Sequence, residues 1–331
     1  MGKKRMKEQE TKTQEALISF IILVYRHFEG ITRTLQSVFE QDYPQIEVII
    51  SDDGSNNYEE EIATVKAYVD AHRTENIIRV VYNHLEENQG TVRNANSALR
   101  LAKGKYIKNL GADDTLATPG ALRRYVDFLE GSGSLICFSK LQGVDDDGKI
   151  IRNLASCADD YEPLKRITPL QIRDRLFVRN FLPAPAWFAK SELFEKYGYY
   201  PETARLIEDY PYWIHLCTEG VQFTFMDDIL VNYRLSGVSS AGFYSEAFMK
   251  DMYAIYNEWI FPNDKRYGVL QPVYNTIKRA GLNAYTDRAK WKKYTVRQKV
   301  AAWLKHGAFF AYIDYGNYRM KKKNEAQNGT K

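Results

Sequence analysis

The stretch ISFIILVYRHFEGITRTLQSVFEQDYPQIEVIISDDGS, residues 18–55, decides the fold of this 331-residue chain. It opens with an apolar run rich in β-branched residues, which is typical of a buried strand. Apolar residues then recur at helical spacing until Pro44, and a second apolar run leads into an acidic turn at 52–53. This order of strand, helix and strand predicts a right-handed βαβ unit, from which parallel sheets are built.

The same alternation continues along the next part of the chain. The pattern predicts a polar helix around 63–71, a strand at 77–82, a helix at 92–102 and a strand at 105–110. The last of these strands again ends on carboxylates. We therefore expect at least four strands in a mainly parallel sheet with helices on its faces.

The pattern is less regular in the second half of the chain. We predict a strand at 135–140, a helix at 208–218, and two short strands within 221–235 on either side of Asp227 and Asp228. From residue 241 onward the sequence is helical, aromatic and increasingly basic. The expected parts are a polar tail at 1–15, an α/β domain at 16–240 and a helical C-terminal region at 241–331.

Composition excludes several classes of protein. With 44% hydrophobic and 27% charged residues, the chain is typical of a globular protein and unlike a disordered, collagen-like or coiled-coil one. The longest apolar run, 16–25, is about half as long as a bilayer span requires and is preceded by a charged tail. We expect neither a signal peptide nor a membrane helix, and a cytoplasmic location. Three scattered cysteines without a CxxC pattern favour passive thiols.

Charge is unevenly distributed. Residues 288–331 contain twelve Lys and Arg residues against two acidic ones, a balance of +10, so the rest of the chain sums to −6. Such a basic segment favours contact with something anionic, either nucleic acid or an anionic membrane surface. An apolar stripe at helical spacing runs through it, made of Val296, Val300, Trp303, Leu304, Gly307, Ala308 and Ala311. The stripe fits a membrane surface and fits packing on the catalytic domain equally well.

Two of the predicted strands end on carboxylate pairs, Asp52 with Asp53 and Asp113 with Asp114. In open α/β sheets, ligands bind beyond the carboxyl ends of the strands. A divalent cation held by one or two carboxylates keeps positions open for phosphate oxygens. Neither a GxGxxG fingerprint nor a P-loop is present. The alternative is that these aspartates only cap helices and form turns.

Three blocks of sequence together resemble a known family. They are residues 18–55, NQGTVRNANSALRLAKGKYIKNLGADD at 88–114, and LIEDYPYW at 206–213. In order and spacing they are similar to family 2 glycosyltransferases, most closely to bacterial enzymes that build capsular and other cell-surface polysaccharides. The resemblance covers about residues 16–235. It implies the GT-A fold, a Rossmann-like α/β fold with a mainly parallel central sheet and flanking helices, here followed by a C-terminal helical extension.

The resemblance assigns a donor site. The implied contacts are Val24 and Tyr25 for the nucleotide pocket, Asp53 with Asp52 beside it for the base, and Arg93 and Asn94 for the phosphates and sugar. Asp113 and Asp114 match the end of the family's DxD region and would hold Mn²⁺ or Mg²⁺ and the ribose. The sequence departs from the family in two places: Arg26 stands where Asn is common, and Gly111 replaces the first Asp of DxDD.

The resemblance also assigns a catalytic base. Asp209 matches the family's base, and its neighbour Glu208 is the alternative carboxylate. A sugar hydroxyl is a poor nucleophile near neutral pH, so a carboxylate must take its proton as it attacks. A divalent ion offsets the charge that develops on the leaving nucleoside diphosphate. On the residues alone, Asp209 also fits the N-terminal cap of a helix.

The expected activity is inverting, metal-dependent transfer of a sugar from a nucleotide-sugar donor, with a UDP-sugar favoured. The acceptor would be a hydroxyl of a saccharide or a lipid-linked saccharide, at the inner face of the plasma membrane if residues 288–331 bind there. One alternative is a nucleotidyltransferase that makes sugar nucleotides, although YRHFEG at 25–30 is a poor match to the Gly-rich, Arg-containing loop of that class. The other is a saccharide- or nucleic-acid-binding module without catalysis, of which nucleic-acid binding is the less expected.

Overall fold

One sheet runs through the molecule in this computed structural model, which describes residues 15–145, 147–152, 161–234 and 245–311. Its strands are β1 (Ile18–Val24), β2 (Ile46–Asp52), β3 (Ile77–His84), β4 (Tyr106–Gly111), β5 (Thr115–Leu116), β6 (Ile136–Val144), β7 (Ile150–Arg152), β8 (Trp187–Lys190) and β9 (Thr224–Arg234). Over these described residues the strand order is β3-β2-β1-β4-β8-β6-β9-β5, and β7 pairs with β6.

Helices cover the sheet and form the C-terminal region. They are α1 (Ile31–Phe39), α2 (Tyr58–His72), α3 (Thr91–Leu101), α4 (Ala121–Ser132), α5 (Pro169–Leu176), α6 (Glu192–Tyr197), α7 (Asp209–Thr218), α8 (Glu246–Ile255), α9 (Gln271–Ala289) and α10 (296–311). A π-helical turn at Tyr256–Ile260 continues α8. A short 3₁₀ turn at Ala184–Ala186 leads into β8.

The first half of the sheet is parallel. β3, β2, β1 and β4 pair side by side in the same direction, with β1 in register between β2 and β4. Every residue of β2 is buried, as is every residue of β1 except the half-buried Leu23. Continuous apolar strands of this kind form where helices cover both faces of a parallel sheet. The predicted α/β fold with a mainly parallel central sheet is confirmed.

The second half of the sheet is mixed, and one prediction for it is wrong. Residues 221–235 were expected to form two short strands, but β9 runs as one strand through Asp227 and Asp228, with irregular pairing to β6. Both carboxylates bond to basic side chains: Asp227 lies 2.9 Å from Lys140 Nζ, and Asp228 lies 2.7 Å from Arg124. Because both charges are paired at the surface, they do not interrupt the strand.

The C-terminal helices share the main core of the α/β domain. Met249, Ile255, Ile260 and Leu282 are buried in the same apolar cluster as the strands. The predicted helical character of the region is confirmed for residues 245–311. The predicted boundary at 240 falls within 235–244, outside the described residues.

Several other predictions concern residues outside the described ranges, namely most of the polar tail at 1–15, Cys157, and the basic segment beyond residue 311. Of the described cysteines, Cys137 and Cys217 are buried, and burial raises the pKa of both thiols, as expected for passive residues. None of the helices in the described ranges has the length and apolar character needed to span a bilayer.

Candidate functional site

Three strand ends bring the predicted donor residues to one edge of the sheet. Val24 at the end of β1 is in register with Asp52 at the end of β2, and Leu23 is in register with Gly111 at the end of β4. Since β1 has β2 on one side and β4 on the other, this edge is the point at which the strand order reverses. Ligands of open α/β sheets bind in the crevice that opens there.

The first carboxylate pair organises the loops around this crevice. Asp52 is fully buried; it accepts a hydrogen bond from the backbone N–H of Ser55 (2.8 Å) and lies 2.8 Å from His84 Nδ1. Asp53 accepts hydrogen bonds from the backbone N–H groups of Gln89 (2.8 Å) and Gly90 (2.9 Å). Burial raises the pKa of Asp53, although these two hydrogen bonds oppose the shift. Asp52 therefore holds its own turn and the end of β3, whereas Asp53 holds the loop that leads into α3.

Arg93 and Asn94 point to different surroundings. Asn94 is buried and exchanges hydrogen bonds with Ser51, which ties the start of α3 to β2. Arg93 is half-exposed, and its Nε lies 2.9 Å from Glu202. Of the two predicted donor contacts, only the side chain of Arg93 therefore reaches the surface.

The backbone at Arg26 is unusual. Its φ is +63°, in the left-handed region that side chains other than Gly, Asn and Asp rarely adopt. Its N–H donates to Ser55 Oγ (2.7 Å), and its guanidinium lies 4.8 Å from the ring centre of Tyr25. Asn tolerates this conformation far better than Arg, which gives a physical reason for the Asn that the family commonly has here. The exposed guanidinium instead places a positive charge beside the predicted nucleotide pocket.

The second carboxylate pair lies at the end of β4. Asp114 is 4% exposed, and its Oδ1 accepts a hydrogen bond from the backbone N–H of Arg234 (3.0 Å). Burial, and secondly the negative charge of Asp113, raise the pKa of Asp114 to about 8. Asp113 is half-buried and borders a cavity of about 40 Å³ that Arg33 and Arg234 also line. Two adjacent carboxyls held in this way are an electrostatically unfavourable arrangement that a cation would relieve.

Gly111 leaves space between these two carboxyls. A Cβ atom at this position would lie 3.2 Å from Asp113 Oδ1 and 3.6 Å from Asp114 Oδ2. Both side chains thus border the place where the missing first Asp of the motif would stand. Within the described ranges, no group of three or more His, Cys, Asp or Glu side chains is arranged to hold a metal ion.

The third acidic pair is at the start of α7. Glu208 is the residue that precedes the helix, and Asp209 is its first residue; both are buried. Asp209 accepts a hydrogen bond from Asn180 Nδ2 (2.9 Å), and this bond and the backbone N–H groups of Tyr210, Asp209 and Ala184 oppose the rise in its pKa. Burial raises the pKa of both carboxyls, and the charge of Asp209 adds to the shift of Glu208. The side chain of Glu208 makes no capping bond to the helix, and Asp209 lies inside it, so the cap alternative for Asp209 is wrong.

Lys108, which the sequence reasoning missed, connects the second and third acidic pairs. This fully buried residue of β4 donates hydrogen bonds to the carbonyl oxygens of Pro185 (2.5 Å) and Trp187 (2.9 Å). The same segment contains Ala184, whose backbone N–H lowers the pKa of Asp209. Burial lowers the pKa of Lys108 to about 7, and the charge of Asp114 opposes the shift. A lysine in the middle of an apolar strand was the available sequence signal.

The segment that precedes Glu208 joins the donor side to α8. The N–H of Val92 donates to the carbonyl of Arg205 (3.1 Å), and a Cβ atom at Gly90 would lie 2.5 Å from that oxygen. Gly90, at φ +93°, therefore has to be glycine. Asp251 of α8 accepts hydrogen bonds from the N–H groups of Arg205 and Leu206.

A larger groove of about 570 Å³ lies elsewhere, lined by Phe128, Lys165 and the start of β9. It contains none of the predicted site residues. The strand-edge crevice, where the carboxylates and their basic neighbours lie, is the better candidate on chemical grounds.

Comparison with known proteins gives one family and several relatives. The sequence model described as Glycosyl transferase family 2 matches residues 19–198. An uncharacterized glycosyltransferase of Methanocaldococcus jannaschii is 25% identical over 221 residues, which cover 66% of this chain and 71% of that protein. The succinoglycan biosynthesis protein ExoO of Rhizobium meliloti is 27% identical over 58% of this chain and 53% of its own length. The chain thus spans about half of the Rhizobium protein.

Solved structures share the fold. The mannosyltransferase PcManGT from Pyrobaculum calidifontis, in complex with GDP-Man and Mn²⁺, matches with a TM-score of 0.57 at 16% identity, over 95% of this chain and 85% of that one. Residues 1–349 of S. aureus TarS, in complex with UDP-GlcNAc, match with a TM-score of 0.56 at 19% identity, over 88% and 80%. At these identities the likeness establishes the fold, and the predicted GT-A architecture is confirmed.

Proposed function

Because the chain belongs to glycosyl transferase family 2, we propose that it transfers a sugar from a nucleotide-sugar to a hydroxyl of a saccharide or lipid-linked saccharide, with inversion at the anomeric carbon. Relatives of the chain include proteins of polysaccharide biosynthesis, such as the succinoglycan protein. The observation that carries the proposal is the pair of acidic sites, Asp113 with Asp114 and Glu208 with Asp209, joined through Lys108 and the 184–187 segment. Inverting transfer needs one site for the leaving diphosphate and another for the attacking hydroxyl.

Asp209 is the proposed base. A carboxyl whose pKa is raised by burial holds a proton more tightly than an ordinary one, and this makes its ionised form a better acceptor for the proton of an attacking hydroxyl. The hydrogen bond from Asn180 Nδ2 to one carboxylate oxygen (2.9 Å) would orient this base. Glu208 stays the alternative base, because it is the adjacent buried carboxyl.

The residues at the end of β4 fit a divalent cation, Mn²⁺ or Mg²⁺. Asp113 is the accessible carboxylate that would hold it, beside Asp114, which is buried and anchored by the N–H of Arg234. When bound, such an ion offsets negative charge on the leaving nucleoside diphosphate. Arg33 and Arg234, which line the same cavity as Asp113, would supply positive charge for the same phosphates.

The donor nucleotide would occupy the crevice above Val24 and Tyr25. Asp53 would receive the base, with Asp52 bracing the loop. Arg93 would contact the sugar and phosphates from the surface, and Asn94, buried against Ser51, would hold the start of α3 in place for that contact. Solved proteins of this fold hold UDP-GlcNAc or GDP-Man, so the fold admits either nucleotide. We favour a UDP-sugar on the resemblance of the sequence blocks. We propose that the reaction takes place in the cytoplasm, with residues 288–331 in contact with the inner face of the plasma membrane.

Nucleotide release from a panel of nucleotide-sugars tests the function. With Mn²⁺ and a saccharide acceptor, we expect the wild type to release nucleoside diphosphate, and Asp209→Asn to lose about 10²- to 10⁴-fold in rate with near-normal donor binding. Exposed Asp70→Asn on α2 is the matched control. Release of pyrophosphate instead of a nucleoside diphosphate would identify a nucleotidyltransferase. Saccharide binding without release from any donor would indicate a binding module.

A further inference from the structure

Helix α10 packs on the rest of the molecule through one narrow face. Ala302, His306 and Phe310 are buried, and Phe310 forms an edge-on contact with Trp291 (ring centres 5.5 Å apart). His306 Nε2 lies 3.4 Å from Asp287 of α9. Ala302 and Phe310 form a small apolar cluster of their own with Ala284. The packing requirement of α10 is therefore met without the apolar stripe found in the sequence.

The stripe lies on a different face of α10 and is open to solvent. The exposed fractions of its large side chains are 79% for Val296, 54% for Val300, 61% for Trp303 and 75% for Leu304. The indole ring of Trp303 lies along the helix over Gly307, which continues the apolar surface. Residues at spacings of four, three and one fall on one side of a helix, so these four form a continuous ridge. The alternative that the stripe packs on the catalytic domain is wrong for these residues.

Positive charge surrounds this ridge. Residues 288–311 contain seven Lys and Arg residues and no Asp or Glu. Lys293 pairs with Glu246 of α8 at 2.9 Å. Within the described ranges, Lys292, Arg297 and Lys305 form no ion pair. An exposed apolar ridge with a tryptophan, bordered by unpaired cations, is the pattern of a helix that lies in a membrane interface.

We propose that the ridge Val296–Val300–Trp303–Leu304 docks α10 on the surface of an anionic lipid bilayer. A second copy of the chain fits the ridge poorly, because symmetric pairing would bring two clusters of unpaired cations together. Nucleic acid would use the cations but would leave the apolar ridge exposed. Anionic lipids satisfy both features, since headgroups meet the lysines and arginines while the acyl boundary takes up the indole. This inference does not depend on the reaction that the enzyme catalyses.

Co-sedimentation of the full chain with vesicles tests the proposal. We expect binding to phosphatidylcholine vesicles that contain phosphatidylglycerol, and little binding to phosphatidylcholine alone. The double variant Trp303→Ser, Leu304→Ser should weaken binding by more than about tenfold, because it removes the apolar part. The double variant Arg297→Gln, Lys305→Gln should weaken it by about fivefold per charge at low salt and less at high salt.

Matched controls separate docking from misfolding. Val269→Ser removes an apolar side chain that is 95% exposed on another segment and should leave vesicle binding unchanged. Trp303→Phe should keep the binding and abolish most of the lipid-induced blue shift in tryptophan fluorescence. Three outcomes would each overturn the proposal. They are failure of the wild type to bind the vesicles, binding by the double variant at Trp303 and Leu304 that equals that of the wild type, and concentration-dependent dimerisation of the wild type that this variant abolishes. Because the readout is vesicle binding, its failure is distinct from a failure to release nucleotide.

Discussion

Gly111 determines how many carboxylates the end of β4 can offer a cation. We expect Gly111→Asp to tighten Mn²⁺ binding by about tenfold in the presence of nucleoside diphosphate, because the number of charged ligands sets affinity for such ions. Without the ion, three crowded carboxyls should lower the melting temperature. Isothermal titration and thermal unfolding with and without Mn²⁺ measure both effects.

Gly131→Asp is the matched control for this change, since a Cβ atom there would meet nothing within 4 Å. An unchanged Mn²⁺ affinity in Gly111→Asp would mean that the cation, if bound, does not lie between Asp113 and Asp114.

Glu208 makes stability depend on pH. Its pKa in the folded protein is raised to about 8 by burial and by Asp209, above the value of about 4.3 for an exposed glutamate. The folded state therefore binds the proton more tightly, and the free energy of unfolding should fall as pH rises from about 4.3 to about 8. Glu208→Gln removes this loss. The free energy of unfolding of the variant should therefore exceed that of the wild type by on the order of 2 kcal/mol at pH 8, and by little at pH 5. Urea unfolding at both pH values measures the difference.

The exposed residue Glu75 supplies the control. Glu75→Gln should show the same difference from the wild type at both pH values. A Glu208→Gln variant that is no more stable than the wild type at pH 8 would contradict the burial of a proton on this side chain.

Helix α8 supports the segment before the proposed base through one carboxylate. Asp251 accepts two backbone hydrogen bonds, from Arg205 (3.0 Å) and Leu206 (2.6 Å), just before Glu208 and Asp209. We expect Asp251→Asn to lower kcat with little change in KM for the donor, and to cost about 1–2 kcal/mol of stability, because charge-assisted bonds become neutral ones. Steady-state kinetics with urea unfolding would measure both.

Glu258→Gln is the matched control for Asp251→Asn. Glu258 also contacts this segment, but through the side chain of Thr203 (2.7 Å), farther along the chain from Asp209. An equal loss of kcat in both variants would mean that Asp251 contributes general stability and does not orient the base.

Elements that rest on local pattern could be predicted from the sequence, and contacts between distant residues could not. The predicted strands at 77–82 and 105–110 match β3 and β4 to within two residues, because both contain the β-branched and aromatic residues that favour strands. Lys108 gave a visible signal, but its partners are carbonyl oxygens 77 and 79 residues away. Asp227 and Asp228 were misread because their basic partners lie on other elements. Sequence periodicity found the α10 stripe but did not reveal which face of the helix packs.

The helices of the C-terminal region pack on the rest of the molecule in two different ways. Helices α8 and α9 contribute to the main core, whereas α10 packs through the small cluster around Ala284 and Phe310. We expect truncation after Tyr294 to leave cooperative unfolding and nucleotide release with a soluble acceptor largely intact. Truncation after residue 244 should prevent folding, because it removes Met249 and Ile255 from the core. Circular dichroism melts would compare the two truncations. Loss of cooperative unfolding on truncation after Tyr294 would show that α10 is part of the folding unit.

Lys108 also limits how freely parts of this enzyme can be exchanged with those of its relatives. A chimaera that receives a strand with an apolar residue at 108 would bury the carbonyls of Pro185 and Trp187 without a donor, a cost of about 1–3 kcal/mol for each group. The recipient would also lose the contacts that hold the segment with Ala184, whose backbone N–H lowers the pKa of Asp209. The segments 105–114 and 183–187 therefore have to be exchanged together. A chimaera that receives only the first segment could acquire the donor preference of the relative but would lose the support of the proposed base.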